Sequence, residues 1–305
     1  MENMFLNKNF FELLDFLDDD LLIEKNLEPY LRAVYDAFCR QNQQQKVAKL
    51  VIKNFENGGL TKEHWLTHGY CRGDTIFINK SFLPLMLSSN NQEKYIIITT
   101  LIHENRHFLQ KMTEPNQSTK IDYAEASSNV FYSFMDFKQS LSNLFRYISN
   151  VRPEFFSKYD ELCKEQLQEI DELEFFANAS SPWEIDARNY TLEQLKNGLD
   201  TKPYIEQIFL SEQNLTKLIE SKSKEFSMLE LFEAADNFLK NHPREMSLFE
   251  NAKECYDENK KIVMDIYKKH GVQNKEQEKE FLKNLYPENF AASNVPAQKN
   301  MHPSL

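Results

Sequence analysis

The sequence predicts a mainly helical chain of the α+β class that contains one small β-sheet. Only 6 glycines occur in 305 residues, which is too few for the many turns of a β-sandwich or a doubly wound sheet. Apolar residues make up 41% of the chain, which is enough for a hydrophobic core. They recur mostly at the three- and four-residue spacing of helices. The run Thr75–Asn79, rich in β-branched and aromatic residues, indicates a short strand.

The charge and the apolar runs of the chain argue against a nucleic-acid partner, a membrane span and a secretory signal. A net charge of -11 repels phosphate backbones, so we expect no nucleic-acid partner. No run of about 18 apolar residues is present, so we expect no membrane span. The N-terminus has an acidic run at 15–20 and lacks the apolar core of a secretory signal. We therefore expect a chain that is cytoplasmic or exported without an N-terminal signal peptide.

Residues 1–59 are predicted to form an N-terminal helical region. Amphipathic spacing marks helices near 10–17, 31–38 and 47–55. The sequence Asn57-Gly58-Gly59 then breaks the helical pattern. A turn-rich stretch follows and leads into the predicted strand.

His64 and His68 lie four residues apart in this turn-rich stretch. Such a pair on a helix could bind a metal, but Gly69 and Gly73 make a stable helix there unfavourable. We favour ordinary polar contacts for these two side chains, or a place at the rim of a cleft.

A helix over 92–112 carries the main functional motif, His103-Glu104-Asn105-Arg106-His107. Residues four apart share one face of a helix, so both imidazoles point to one place and supply half of a tetrahedral zinc site. Glu104 lies beside that place and could move a proton between an attacking water and a leaving amine. The apolar flanks predict a buried helix, in which a metal would satisfy these polar groups.

Further helices are predicted over 121–175, with a break at Pro153, and after Pro182, which follows a serine as at many helix starts. Zinc needs a third protein ligand, and Glu184 in the first turn of the later helix is our candidate. Glu184 could instead only complement the helix dipole. Glu125, closer in sequence to His107, is the alternative ligand.

Two neighbours of Glu184 extend this hypothesis. The small Ala187 would let its helix approach the motif helix closely. Asp186 points to another face and could orient a histidine ligand.

The rest of the chain divides into two regions. Residues 196–289 are highly charged and helical, and carry no catalytic grouping. Residues 290–305 are polar and contain two prolines, which predicts a disordered tail. With the N-terminal region and a central core over 60–195, the chain is predicted to have four parts.

The motifs of the central part resemble those of the gluzincin metallopeptidases, especially the small bacterial and phage-associated kind. The matching features are a strand ending in Asn at Thr75–Asn79, H-E-N-R-H at 103–107, and E-I-D-A at 184–187. The form H-E-x-R-H-x-x-Q, with Arg106 and Gln110, is also similar to metallopeptidase domains of polyvalent phage and effector-type proteins. The 76 residues between His107 and Glu184 exceed the spacing of the smallest members.

This resemblance implies a zincin-like core with a small sheet and an active-site helix, flanked by helical regions. It implies His103, His107 and Glu184 as zinc ligands and Glu104 as the general base. We therefore expect a zinc metallopeptidase that acts on a protein or peptide substrate. The alternative is an inactive zincin scaffold that binds a protein partner through its helical flanks. A third hypothesis is a zinc hydrolase that is not a peptidase.

A peptidase also needs a donor for the oxyanion of its tetrahedral intermediate. Tyr190, Tyr123 and His68 are the candidates that the sequence offers for this role.

Overall fold

The computed structural model confirms a mainly helical chain with one small sheet. It describes residues 5, 7–17, 22–55, 68–113, 118–151, 153–196, 203–225, 227–241 and 250–287. The helices of this part are α1 (Phe10–Leu14), α2 (Leu27–Gln41), α3 (Asn91–Thr113), α4 (Ser118–Val151), α5 (Pro153–Ser180), α6 (Pro182–Lys196), α7 (Pro203–Glu225), α8 (Met228–Asn241), α9 (Glu250–His270) and α10 (Lys275–Leu285). Short 3₁₀ helices lie at Asp15–Leu17, Glu24–Asn26 and Lys80–Leu87. The predicted tail at 290–305 and His64 lie outside the described residues.

The sheet has three strands in the order β1 (Lys49–Lys53), β3 (Thr75–Asn79), β2 (Gly69–Arg72). β1 is parallel to β3, with Leu50 opposite Ile76, and β2 is antiparallel to β3, with Tyr70 opposite Phe77. A tight turn joins β2 to β3, and Gly73 adopts φ +60° in it, which a glycine accepts without strain. The sheet therefore consists of a β2–β3 hairpin and of β1, which precedes the hairpin in sequence and pairs with β3.

The predicted strand Thr75–Asn79 is confirmed, but the predicted helix over 47–55 is wrong. Its central residues form β1 instead. Three consecutive apolar residues between two lysines fit a strand as well as a helical turn. The parallel ladder with β3, some 25 residues further along the chain, decides between them. β2 was not predicted as a strand.

The motif helix is confirmed within one residue of its predicted bounds at each end. α3 packs against β2 and β3 and against α6 and α7. Ile97, Ile98, Leu101 and Ile102 on α3 are fully or almost fully buried. This burial confirms the prediction of a buried helix, which was based on the apolar flanks of the motif.

The predicted helix boundaries at two prolines are also confirmed, because α5 begins at Pro153 and α6 at Pro182. Proline is favoured at the first position of a helix, where its missing N–H has no intrahelical partner to lose. The second of these starts places Glu184 in the first turn of α6.

The buried apolar residues form two clusters that meet at α6. The first, which we call the sheet cluster, combines α1, α2, the sheet and α3, and it includes Leu195 near the end of α6. The second, the helical cluster, combines α4, α5 and α8 to α10, and it includes Trp183 at the start of α6. None of the described helices is long and apolar enough to cross a membrane. The division of the chain into four regions remains a prediction.

Candidate metal centre

Two histidines of α3 and one glutamate of α6 converge where the two clusters meet. His103 and His107 leave the same face of α3 because they are four residues apart in a continuous helix. The amide of Ile185 donates to the carbonyl of Ser181 at 3.2 Å, which fixes the first turn of α6. Glu184 lies in that turn, is 5% exposed, and faces the two imidazoles.

The three potential ligands lie 3.1 to 3.2 Å from one another, with each oxygen of Glu184 close to one of the two histidines. His103 Nε2 lies 3.1 Å from Glu184 Oε2 and 3.1 Å from His107 Nε2. His107 Nε2 lies 3.2 Å from Glu184 Oε1. Two ligands of one tetrahedral zinc ion, each at about 2.1 Å, are separated by roughly 3.4 Å, so this spacing fits a single cation. The group of His103, His107 and Glu184, which we call the triad, could therefore bind a metal ion.

A chain of polar contacts holds His107 in this orientation. Its Nδ1 donates to Gln110 Oε1 at 2.8 Å, so Nε2 is the ring nitrogen that faces His103 and Glu184. Gln110 Nε2 donates to Asp186 Oδ2 at 2.5 Å and to the carbonyl of Trp183 at 3.2 Å. Arg106 donates to both carboxylate oxygens of Asp186, at 2.7 and 3.2 Å. Asp186 thus reaches the histidine through Gln110 rather than directly.

The charges of the triad favour a cation at its centre. Burial acts to lower the pKa of His107, but the carboxylates of Glu184 and Glu104 outweigh burial and raise it to about 9. Burial acts to raise the pKa of Glu184, but the two histidines outweigh it and hold the pKa well below its usual range. The triad therefore stabilises a proton on His107. A divalent cation would replace that proton, because imidazole binds metals in its neutral form.

Glu104 lies beside the triad and keeps one acceptor atom without a partner. Its side chain is buried, and its carboxylate accepts a hydrogen bond from the backbone N–H of Cys71 on β2. Its Oε2 has no hydrogen-bond partner among the described residues. Burial raises the pKa of Glu104, although the two neighbouring imidazoles act to lower it. A buried carboxylate with an unused acceptor and a raised pKa is suited to gaining and losing a proton.

A cavity of about 340 Å³ opens beside the triad, and β2, α3, α4, α6 and α7 contribute to its wall. Gly69 at the start of β2 allows this sheet edge to come close to α3. A Cβ atom there would lie 2.8 Å from the carbonyl oxygen of Phe77 and 3.0 Å from Thr100 Cγ2. Apolar side chains of α4 and α7 also line the cavity. A larger cavity of about 860 Å³ borders α2 and has none of these residues in its lining.

The structure separates the two candidates for the third ligand. Glu184 meets both histidines, as described above. Glu125 lies on α4 with its side chain 53% exposed, and its carboxylate is 3.7 Å from Lys111 Nζ. The shorter sequence distance from His107 to Glu125 therefore does not bring that carboxylate into the site.

Of the three candidates for the oxyanion donor, one lines the cavity. His68 is in its wall, packs edge-to-face on Phe82 with 4.6 Å between ring centroids, and has a pKa lowered by burial. Tyr190 lies elsewhere, under the guanidinium of Arg106 at 5.2 Å. Tyr123 is fully buried in the helical cluster, where its hydroxyl lies 2.8 Å from that of Tyr267.

Among the cavity-wall residues that the sequence does not single out are one tyrosine and one arginine. Tyr132 on α4 and Arg188 on α6 both line the cavity together with His103 and Glu104. A signal existed for Arg188, because it lies four residues after Glu184 and therefore on the same face of α6. Tyr132 had no such signal, since no motif fixes the rotation of α4 against α3.

Gln110 belongs to the H-E-x-R-H-x-x-Q motif, but the sequence alone predicts no role for it. It lies three residues after His107, so it occupies the same face of α3 and can reach that imidazole. The resemblance to gluzincin peptidases rests on the motif residues alone. No protein-family model, no curated protein and no solved structure matches this chain.

Proposed function

We propose that the chain is a zinc-dependent metallopeptidase of the gluzincin type. In this proposal His103, His107 and Glu184 hold zinc, and Glu104 is the general base. The observation that carries the proposal concerns Glu104, a residue of the cavity wall whose buried Oε2 has no hydrogen-bond partner among the described residues. A purely structural zinc site is closed by four protein ligands. Here the triad has three potential ligands, and two of them, His103 and Glu184, line an open cavity.

The packing of the sheet and of α6 around α3 supports this proposal. β2 lies against α3, and α6 brings the third potential ligand from beyond the motif helix. We propose that these elements form a zincin-like core.

The chemistry divides between the cation and the residues of the chain. Zinc, when bound, would lower the pKa of a water molecule and polarise the carbonyl of the substrate. Glu104 would accept the proton of the attacking water on its free oxygen and deliver it to the leaving amine. The raised pKa of Glu104 suits the first of these transfers, because a protonated carboxyl forms readily in this buried position.

Tyr132 is our candidate for the donor to the oxyanion. It lines the cavity with Glu104 and Glu184. Burial, together with these two carboxylates, raises the pKa of Tyr132 well above its usual value. Its hydroxyl therefore keeps its proton at neutral pH and can donate it in a hydrogen bond. We favour Tyr132 over His68 because the carboxylates of Glu104 and Glu184 both raise the pKa of Tyr132, whereas burial alone shifts the pKa of His68.

The test is a comparison of cleavage by the zinc-loaded chain and by Glu104→Gln. Each protein is incubated with a proteome, and mass spectrometry detects new peptide termini. We expect the wild-type chain to produce new termini, and Glu104→Gln to produce them on the order of a thousandfold more slowly. Both proteins should contain one zinc per chain, because Glu104 is not a ligand in this proposal.

Glu93→Gln is the matched control, since Glu93 is an exposed glutamate in the first turn of the same helix. This variant should cleave like the wild type. Equal cleavage by Glu104→Gln and wild type would refute the catalytic role. A zinc-loaded wild type that cleaves nothing would instead favour a binding protein on an inactive scaffold.

A further inference from the structure

Arg188 lines the cavity one turn beyond Glu184 on α6. Its Nε atom is buried and has no hydrogen-bond partner among the described residues. Glu212 on α7 also lines the cavity, but these two side chains form no ion pair within the described part of the chain.

The other arginines near the core do not share this state. Arg106 binds Asp186 with two hydrogen bonds, and Arg32 donates to Glu28 and to the carbonyl of Leu50. Arginine carries five N–H donors in a planar fork and keeps its charge at any relevant pH. A buried donor of this kind is normally satisfied, so one that borders a cavity without a partner points to an acceptor that enters the cavity.

We propose that Arg188 binds a carboxylate group of the substrate next to the bond that is cleaved. This proposal rests on the proposed peptidase function and defines its substrate class. Four residues of helix rise about 6 Å, so Arg188 lies roughly that far along α6 from Glu184. One extended residue spans about 3.5 Å, so the carboxylate belongs to the first or second residue from the cleaved bond. Guanidinium and carboxylate match as a bidentate pair.

The size and lining of the cavity agree with a short peptide end. Its volume of about 340 Å³ is at the lower limit of ordinary small-ligand pockets. Phe131, Met135 and Leu215 give part of the wall an apolar character, which suits an apolar side chain beside the carboxylate. The carboxylate could be the free C-terminus of a chain or the side chain of an acidic residue, and the experiment separates these two sources.

Binding is measured by calorimetry on the metal-free full chain, so that neither zinc nor turnover contributes. Three peptides serve as probes. The first is N-acetylphenylalanylleucine with a free terminal carboxylate, the second is its terminal amide, and the third is N-acetylphenylalanylglutamate with an amidated terminus. We expect one of the two carboxylate peptides to bind at least about tenfold more tightly than the neutral amide.

Arg188→Gln should remove this preference, and Arg188→Lys should keep part of it because it keeps the charge. Arg40→Gln, which changes an exposed arginine of α2, should leave the preference intact. Thermal unfolding of each variant shows that its fold is retained. Preference for the free terminus assigns a substrate cut near its C-terminal end, and preference for the glutamate assigns an internal acidic residue.

Equal binding of all three peptides by the wild type would overturn the proposal, as would a preference that survives Arg188→Gln. These outcomes are distinct from failure of the peptidase proposal. A chain that cleaves proteins but ignores the carboxylate refutes only the role of Arg188. A metal-free chain that prefers the carboxylate through Arg188 keeps this carboxylate site, even if the zinc-loaded chain cleaves nothing.

Discussion

Two buried glutamates, Glu278 in the helical cluster and Glu104 beside the triad, face opposite surroundings. Glu278 is 1% exposed, and its two oxygens accept hydrogen bonds from the amides of Met228 and Leu229 at 2.7 and 3.3 Å. The hydroxyl of Tyr267 also bonds to it. Glu104 is 7% exposed and keeps Oε2 without a hydrogen-bond partner among the described residues.

The difference separates a structural carboxylate from a candidate catalytic one. Glu278 satisfies two amides at the start of α8, which have no intrahelical acceptor, so it ties α10 to α8. Burial raises the pKa of both carboxyls, so burial alone does not distinguish them. The distinguishing feature is the unused acceptor of Glu104, which borders a cavity rather than a helix end.

The largest effect on stability is expected when Glu278 is removed. Glu278→Ala leaves two buried amides without an acceptor, and we expect the free energy of unfolding to fall by about 3 kcal/mol. Glu104→Gln keeps an acceptor for the amide of Cys71 and removes a buried charge, so its effect should be below about 1 kcal/mol. Urea unfolding of the metal-free proteins measures both changes.

Glu276→Ala is the control for this comparison, because Glu276 is exposed in the first turn of the same helix as Glu278. It should change the free energy of unfolding by less than about 0.5 kcal/mol. If Glu104→Gln were as destabilising as Glu278→Ala, Glu104 would be a structural residue and the contrast between the two carboxylates would disappear.

The residues of the triad could be found from the sequence because local rules place them. The helical period sets His103 and His107 on one face, and Pro182 marks the start of the helix that presents Glu184. The mainly helical class followed from composition. These features depend on neighbours within about one turn, which is the range that a single sequence encodes directly.

Features that depend on packing were not accessible in this way. β1 was predicted as a helix because its strand character depends on pairing with β3, far along the chain. The position of Tyr132 depends on how α4 is rotated against α3. Tyr123 was a reasonable candidate by sequence, yet the same rotation buries it against Tyr267 in the helical cluster.

A smaller effect is expected at Gln110, which positions His107 without facing the cavity. Gln110→Leu removes the acceptor of the Nδ1 proton and the link to Asp186. Loss of such a contact around a metal ligand typically weakens metal binding by about ten- to a hundredfold. We expect that loss of zinc affinity, measured by competition with a coloured chelator.

Gln92→Leu provides the control for that measurement, since Gln92 is an exposed glutamine near the start of the same helix. Its zinc affinity should equal that of the wild type. Unchanged affinity in Gln110→Leu would mean that packing of α3 against α6, rather than the Gln110 contact, fixes the imidazole of His107.

The smallest effect is expected at Glu125, the carboxylate that sequence distance alone could not separate from Glu184. Its carboxylate forms an ion pair of 3.7 Å with Lys111 at the surface, and such pairs contribute less than about 1 kcal/mol. Glu125→Ala should therefore keep one zinc per chain and change the free energy of unfolding by under about 0.5 kcal/mol. Glu184→Gln, measured beside it by metal analysis, should lose zinc. Loss of zinc from Glu125→Ala instead would show that α4 turns its carboxylate toward the histidines, and the triangle of His103, His107 and Glu184 would no longer define the metal site.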